Sequence, residues 1–259
     1  MTYQFDHEVI RRGSDSLKWA KYSDEVMPLW VADMDFPAPE PVINALKQRI
    51  EHGVFGYGID LPELKSVICE RLLVRHGWEV GPESVVLLPG LVTGLNVACR
   101  AIGKPGDGVL VNTPVYPPFL SAPVNQERQL QVAEQARTVR NEALHYELDV
   151  DALEEAVTPE TGLFILCNPH NPTGRVFSHS DLVAQAELCA RNDLVICSDE
   201  IHCDLVLGDE PHISIATLAP EVEARTLTLL APSKTFNIPG LGCSLAVIRS
   251  VGVRGGVAW

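Results

Sequence analysis

The chain has no C-x-x-C pair: its seven cysteines, at 69, 99, 167, 189, 197, 203 and 243, are scattered singly. That spacing excludes a zinc ribbon or a disulfide framework, fits thiols in a reducing compartment, and gives no reason to expect a metal. Long apolar runs are also missing, so nothing approaches the ~20 residues needed to span a bilayer. The first residues, MTYQFDHEVI, carry charge where a signal peptide needs an apolar core. Positive charge is short as well. Twenty Lys and Arg stand against 34 Asp and Glu, giving a net charge of −14. Without a basic stripe to offset that balance, unaided binding to nucleic acid is excluded. There is no repeat, no low-complexity tract and no Gly/Ser linker. What is present, 259 residues at 46% hydrophobic, suffices for one large α/β domain, or one domain and part of another. A cytoplasmic enzyme is the resulting expectation.

From Val85 onward short β-rich apolar runs alternate with helical patterns, as in a sheet built from βα units. The runs are Val85 to Leu88, Val109 to Val111, Leu163 to Cys167, Leu194 to Cys197, Leu227 to Leu230 and Leu245 to Ile248. Being apolar on both faces, they predict buried, mostly parallel strands. Helical spacing covers Thr93 to Ile102, Asp149 to Val157 and Leu182 to Arg191, and before the core Glu40 to Glu51 and Leu61 to His76. Met1 to Pro39 is poorly periodic and ends in a proline cluster suited to a boundary or hinge.

Open α/β sheets bind ligands beyond the C-terminal ends of their strands. Three such ends carry polar residues: LVIC leads to Ser198, Asp199 and Glu200, LFILC to Asn168 through Asn171, and LTLL to Ser233 and Lys234. A carboxylate, an amide and an amine on one sheet edge would serve a flat heterocyclic aldehyde with one polar group each. Lys234 can form a Schiff base if burial or a nearby cation lowers its pKa, whereas an ordinary lysine is a solvated charge. Asp199 can pair with a protonated ring nitrogen; equally it can cap a helix or pair with an arginine. Asn171 can donate to a ring oxygen or simply form a turn before Pro172. His202 can face the same oxygen or be a core histidine. Between Val85–Leu88 and the helix that follows, Pro89 and Gly90 make a tight turn, so the amides of Leu91, Val92 and Thr93 offer an anion site. Tyr116 can lie on a flat ring or pack as an ordinary aromatic.

In combination these residues resemble the fold-type-I pyridoxal-phosphate enzymes of the class I/II aminotransferase superfamily, and within it the cystathionine β-lyase branch of MalY/PatB type. The resemblance runs from about Phe5 to Ile248 through MPLWVADMDFPAPEPV, FGYG, GDGVLVNTPVYPPF, CNPHNPTG, SDEIHCDLVL and PSKTFNIPGLG, six motifs in family order. It implies the fold-type-I large domain, a mostly parallel mixed sheet flanked by helices, with an incomplete small domain. It implies pyridoxal 5'-phosphate bound covalently to Lys234, with Asp199 on the pyridine nitrogen. Asn171 and His202 would address the phenolic oxygen, Tyr116 would stack on the ring, and Leu91, Val92 and Ser233 would hold the phosphate. Tyr57 would reach the phosphate of a neighbouring subunit in a homodimer. The activity implied is carbon–sulfur β-elimination on cystathionine or related cysteine S-conjugates, giving thiol, pyruvate and ammonia.

Three departures from the family pattern accompany the match. Gly242 stands where aspartate-type aminotransferases carry a phosphate-binding arginine, which favours the lyase branch. Ala231 replaces a common phosphate-donating serine. Relatives continue past Ile248 through a segment that completes the small domain and supplies an arginine for the substrate carboxylate, whereas this sequence reads RSVGVRGGVAW. The reading is therefore a truncated or frame-shifted product or a fragment. It divides the chain into 1–45 (part of the small domain and substrate entrance), 46–248 (cofactor-binding large domain) and 249–259 (an atypical tail). An aminotransferase and an inactive or regulatory remnant are the rival functions.

Overall fold

A computed structural model describes residues 5–250; the expected tail 249–259 therefore lies outside the described residues except for Arg249 and Ser250. In chain order the elements begin with helices α1 (Leu17–Ala20), α2 (Glu40–His52) and α3 (Pro62–His76). Next come β1 (Val85–Leu88), α4 (Leu91–Ala101), β2 (Gly108–Thr113), α5 (Pro118–Asn125) and β3 (Gln129–Glu134). A hairpin of β4 (Ala136–Arg140) and β5 (Ala143–Glu147) precedes α6 (Val150–Ala156), β6 (Thr161–Cys167), α7 (His179–Arg191) and β7 (Val195–Asp199). The chain closes with α8 (Pro220–Ala224), β8 (Thr226–Leu230), α9 (Pro232–Thr235) and β9 (Ser244–Ile248).

Two compact units result: one gathers the chain up to Ile59 with Pro232–Gly242, the other Asp60–Ala231 with the chain from Cys243. The larger unit holds a seven-stranded sheet in the order β1-β9-β8-β7-β6-β2-β3. Strands β8, β7, β6, β2 and β3 run parallel, and β9 is antiparallel to both neighbours, β1 and β8. The mostly parallel sheet expected from the sequence is thus present, with β9 reversed.

Alternation along the strands divides the apolar residues between two cores. Val109, Val111, Leu163, Ile165, Leu227 and Leu229 face the side covered by α4 and α5, packing on Leu95, Ala98 and Phe119. Leu110, Phe164, Leu166 and Ile196 face the side of α6 and α7, against Leu153, Leu182 and Leu188. Burial of this kind contributes about 25 cal/mol per Å² of apolar surface, and it fixes which strand ends line up.

Local signals explain the helix ends. Asp149 caps α6 by accepting the amide of Ala152 at 3.0 Å. Ser178 and Asp181 form a reciprocal capping box on α7, and Arg175 donates to Asp181 at 2.6 Å. Gly94 admits the close seating of α4: a Cβ there would stand 3.0 Å from Leu88 and 3.1 Å from Leu229. All seven cysteines are free, and Cys99, Cys167, Cys189 and Cys197 are buried among the core residues.

In the smaller unit α2 buries none of its residues, although its apolar residues recur at helical spacing. The unit is organised instead by charge. Arg11 bonds the carboxylates of Asp33 and, at 2.7 Å, Asp35. Lys18, 7% exposed, reaches Asp35 at 2.7 Å and the Asp33 carbonyl at 2.9 Å, and the Trp19 indole donates to Asp35 at 2.8 Å. Burial by itself would raise the pKa of Asp35, but hydrogen bonds from Lys18, Trp19 and Arg11 outweigh it and hold the carboxyl at about 2.

Candidate functional site

In the larger unit the parallel strands β6, β7 and β8 end together, as their register requires: Cys167 lies opposite Asp199, and Asp199 opposite Leu229. Strand β7 extends through Ser198 and Asp199, two residues past the apolar run, because both are buried in the sheet. Asp199 is 3% exposed. One carboxylate oxygen accepts the amide of Ile201 at 3.0 Å, and its carbonyl accepts the amide of Asn168 at 3.0 Å. It thus sits as a buried carboxyl group at a strand end. The thiol of Cys167 on the next strand is raised above its ordinary pKa by burial and by the Asp199 carboxylate.

Asn171 and Tyr116 are brought together. The Tyr116 amide donates to the Asn171 carbonyl at 3.0 Å, tying the loop after β2 to the loop after β6, and the Asn171 amide faces the Cys167 sulfur at 3.4 Å. Tyr116 keeps 39% of its surface exposed. His202 is half-buried in the turn after β7. Leu91 and Val92 open α4, whose N-cap Gly90 provides no side-chain cap, so the first amides of an 11-residue helix point toward the β1 end.

Lys234, Ser233 and Tyr57 belong to the smaller unit. Lys234 lies on α9, four residues past the end of β8 in the chain, and its Nζ donates to the carbonyl of Ala32 at 3.0 Å. Ser233 is buried, and Tyr57 is fully exposed. The segment that bonds Lys234 is held by Asn237: its side-chain amide donates to the carbonyls of Met34 and Phe36 at 2.9 and 2.8 Å and its oxygen accepts the Met34 amide at 2.9 Å. Sequence reasoning missed Asn237 and the Arg11 clamp. Their partners lie 201 to 203 and 22 to 24 residues away, where no periodic signal operates.

A second missed group is Glu200, 2% exposed, which accepts Ser198 Oγ at 2.8 Å and Ser214 Oγ at 2.9 Å and pairs with His212 Nε2 at 2.9 Å. These bonds fasten the 200–214 loop beside Asp199. A cavity of about 650 Å³ in the larger unit is lined by Thr113, Gln135, Arg137, Tyr146 and Asp149 among others. It includes none of the candidate residues.

The class I and II aminotransferase family model matches residues 24–252. Cystathionine beta-lyase PatB of Bacillus subtilis is 41% identical over 254 residues, covering 94% of this chain and 64% of that protein. Among solved structures, OvoB superposes with a TM-score of 0.92 at 45% identity, over 98% of this chain and 67% of that one. Cystalysin from Treponema denticola, whose crystal structure contains pyridoxal 5'-phosphate, gives 0.91 at 34% identity over 99% and 66%. The chain therefore spans about two thirds of the length of the relatives it matches.

Proposed function

Since this chain belongs to the class I and II aminotransferase family, we propose that it takes part in carbon–sulfur β-elimination on cystathionine or a related cysteine S-conjugate, using pyridoxal 5'-phosphate. The observation that carries this reading is the buried carboxylate of Asp199 at the shared ends of β6, β7 and β8, with Lys234 four residues beyond β8. The similarity to PatB supports the lyase branch.

The donor set fits such a cofactor chemically. Asp199, 3% exposed at the strand end, suits a protonated heterocyclic nitrogen, since a carboxylate placed there would stabilise a cationic ring beside it. The uncapped start of α4 suits a phosphate, which the amides of Leu91 and Val92 and the helix dipole would hold together with the Ser233 hydroxyl. Tyr116 offers a partly exposed ring for stacking, and Asn171 and His202 offer polar groups for the ring oxygen. Lys234 is the residue for covalent attachment. When bound, the cofactor supplies an electron sink for charge developing at the substrate α-carbon.

The chain's own residues then have distinct tasks. The Lys234 amine takes the proton from the substrate α-carbon as a general base. Asp199 keeps the heterocyclic nitrogen protonated throughout. The Ala32 carbonyl, 3.0 Å from Nζ, orients the amine through a hydrogen bond when it is not covalently engaged. In balance, cystathionine and water give homocysteine, pyruvate and ammonia.

A homodimer is part of the proposal. Tyr57 is fully exposed, and Ile50, Val54, Phe55 and Ile59 nearby in sequence are exposed apolar residues of the kind a second copy would cover. The free cysteines fit a reducing, cytoplasmic compartment; among the described residues no helix is long and apolar enough to cross a membrane.

The test is product analysis on the purified chain. Thiol and pyruvate released from cystathionine without a keto-acid acceptor support the lyase. Turnover that requires a keto acid assigns an aminotransferase instead, and no turnover with cofactor bound assigns a remnant.

A further inference from the structure

The last turn of α3 and the turn that follows β7 meet in a mixed cluster outside the candidate cofactor residues. Helix α3 ends at His76, with Gly77 in the left-handed conformation at φ 62° turning the chain away. After β7 the amide of Cys203 bonds the Glu200 carbonyl at 3.0 Å, which folds residues 200–204 back toward α3. As a result one ligand atom each from His76, Cys203 and Asp204 lie within 4.8 Å of one another. Arg71, on the same helix as His76, pairs with Asp204 at 2.7 Å.

A second histidine completes the surroundings. The His212 ring stands edge-on to the His76 ring, with centroids 5.6 Å apart. Its Nε2 bonds Glu200 at 2.9 Å, and its side chain is 2% exposed. Its buried Nδ1 has no hydrogen-bond partner among the described residues. A buried polar atom without a partner is costly, and a bound water or ion is one of its ordinary explanations.

We propose that His76, Cys203 and Asp204 form a binding site for a divalent transition-metal ion, best matched by zinc. One imidazole nitrogen, one sulfur and one carboxylate oxygen select a borderline ion over the hard, oxygen-seeking magnesium and calcium. Tetrahedral zinc with bonds of 2.0–2.3 Å places its ligands about 3.4–3.6 Å apart. The three ligand atoms, within 4.8 Å of one another, would close to that distance by side-chain rotation. Thiolate and carboxylate together balance the two positive charges of the ion. Arg71, which pairs with Asp204 Oδ2 at 2.7 Å, would help to fix the direction of that carboxylate, as outer partners of metal-bound carboxylates do.

Burial, and next the neighbouring His212, lowers the pKa of His76, so its lone pair is available. Burial, and next the carboxylates of Glu200 and Asp204, raises the thiol of Cys203, so its deprotonation is a cost that metal binding must offset. On binding, the Cys203 S–H bond breaks, its proton passes to solvent and a sulfur–metal bond forms, with no change of oxidation state. This assignment departs from the expectation, drawn from cysteine spacing, that the chain holds no metal. Its ligands come from elements far apart in sequence, and it does not depend on the proposed enzymatic activity.

The experiment is titration of the purified, chelator-treated 259-residue chain with cobalt(II), followed by difference absorption. One equivalent should bind with a thiolate-to-cobalt charge-transfer band, and zinc should displace it. Cys203→Ser should remove the band, His76→Gln should weaken binding at least tenfold, and Cys69→Ser should change neither. Should Cys203→Ser lose its native circular dichroism, His76→Gln is read in its place. Absence of the band in the unaltered chain, or its persistence in the folded Cys203→Ser or His76→Gln chain at unchanged affinity, overturns the site.

Discussion

The Nζ of Lys234 donates a hydrogen bond of 3.0 Å to the carbonyl of Ala32, a residue 202 positions earlier. The contact joins α9 to the WVADMDF segment, which Asn237 and the Arg11–Asp33–Asp35–Lys18 network hold in place.

From that contact the first prediction concerns Lys234 itself. Borohydride reduction of the cofactor-loaded chain should leave a pyridoxyl group on the peptide containing Lys234, and Lys234→Ala should carry none. Pyruvate release should fall by at least about 10²–10⁴-fold, the range for losing a positioned base. A label on another peptide would sink the assignment.

His170 gives a pH prediction. It is 3% exposed, and burial, then the Arg175 charge, lowers its pKa to about 4. In the folded chain the ring stays neutral between Gln135 Nε2 at 2.9 Å and Thr173 Oγ1 at 3.1 Å. The unfolded state binds a proton near pH 6.5 and the folded state near 4. Stability from this group is therefore complete above 6.5 and is lost as the pH falls toward 4, by about 3 kcal/mol. Denaturant midpoints at pH 7 and pH 4.5 should differ accordingly, and His170→Asn should flatten this part of the profile.

Asp35 operates lower on the scale. Its carboxyl is held at about 2 against an ordinary 3.8, so the stability it supplies is full above 3.8 and disappears as the pH falls through about 2. Carboxyl-carbon NMR should find Asp35 titrating well below the exposed aspartates. Lys18→Met should return it toward the ordinary value.

Core packing predicts a different kind of loss. Phe164 is fully buried on β6 among Leu110, Leu153 and Leu182. Phe164→Ala should destabilise the chain by about 3–5 kcal/mol, measured by urea unfolding. A loss below 1 kcal/mol would mean that the site collapses around the smaller side chain.

Legibility in the sequence followed the strength of the local signal. The buried parallel strands and Asp199 were readable because an apolar run with a polar terminus is a one-dimensional pattern. Strand β3 was not, since QLQVAE buries only Ala133 and has the polarity of an edge. The β4–β5 hairpin was missed for a similar reason: it buries no residue at all. Nor does composition reveal that β9 runs antiparallel between β1 and β8, because residues buried on both faces look alike in either direction. The Glu200–His212 pair and the His76–Cys203–Asp204 cluster depend on long-range placement, which spacing does not encode.

The N-terminal segment and the lysine helix form one unit, yet 202 residues separate Ala32 from Lys234. On a ribosome adding about 5–20 residues per second, the Ala32 carbonyl emerges roughly 10–40 s before the amine that will bond it. Over that interval the eight strands from β1 to β8 are made in turn. The last parts of the smaller unit therefore arrive when most of the sheet has already been made, so the order of synthesis favours placing Lys234 late.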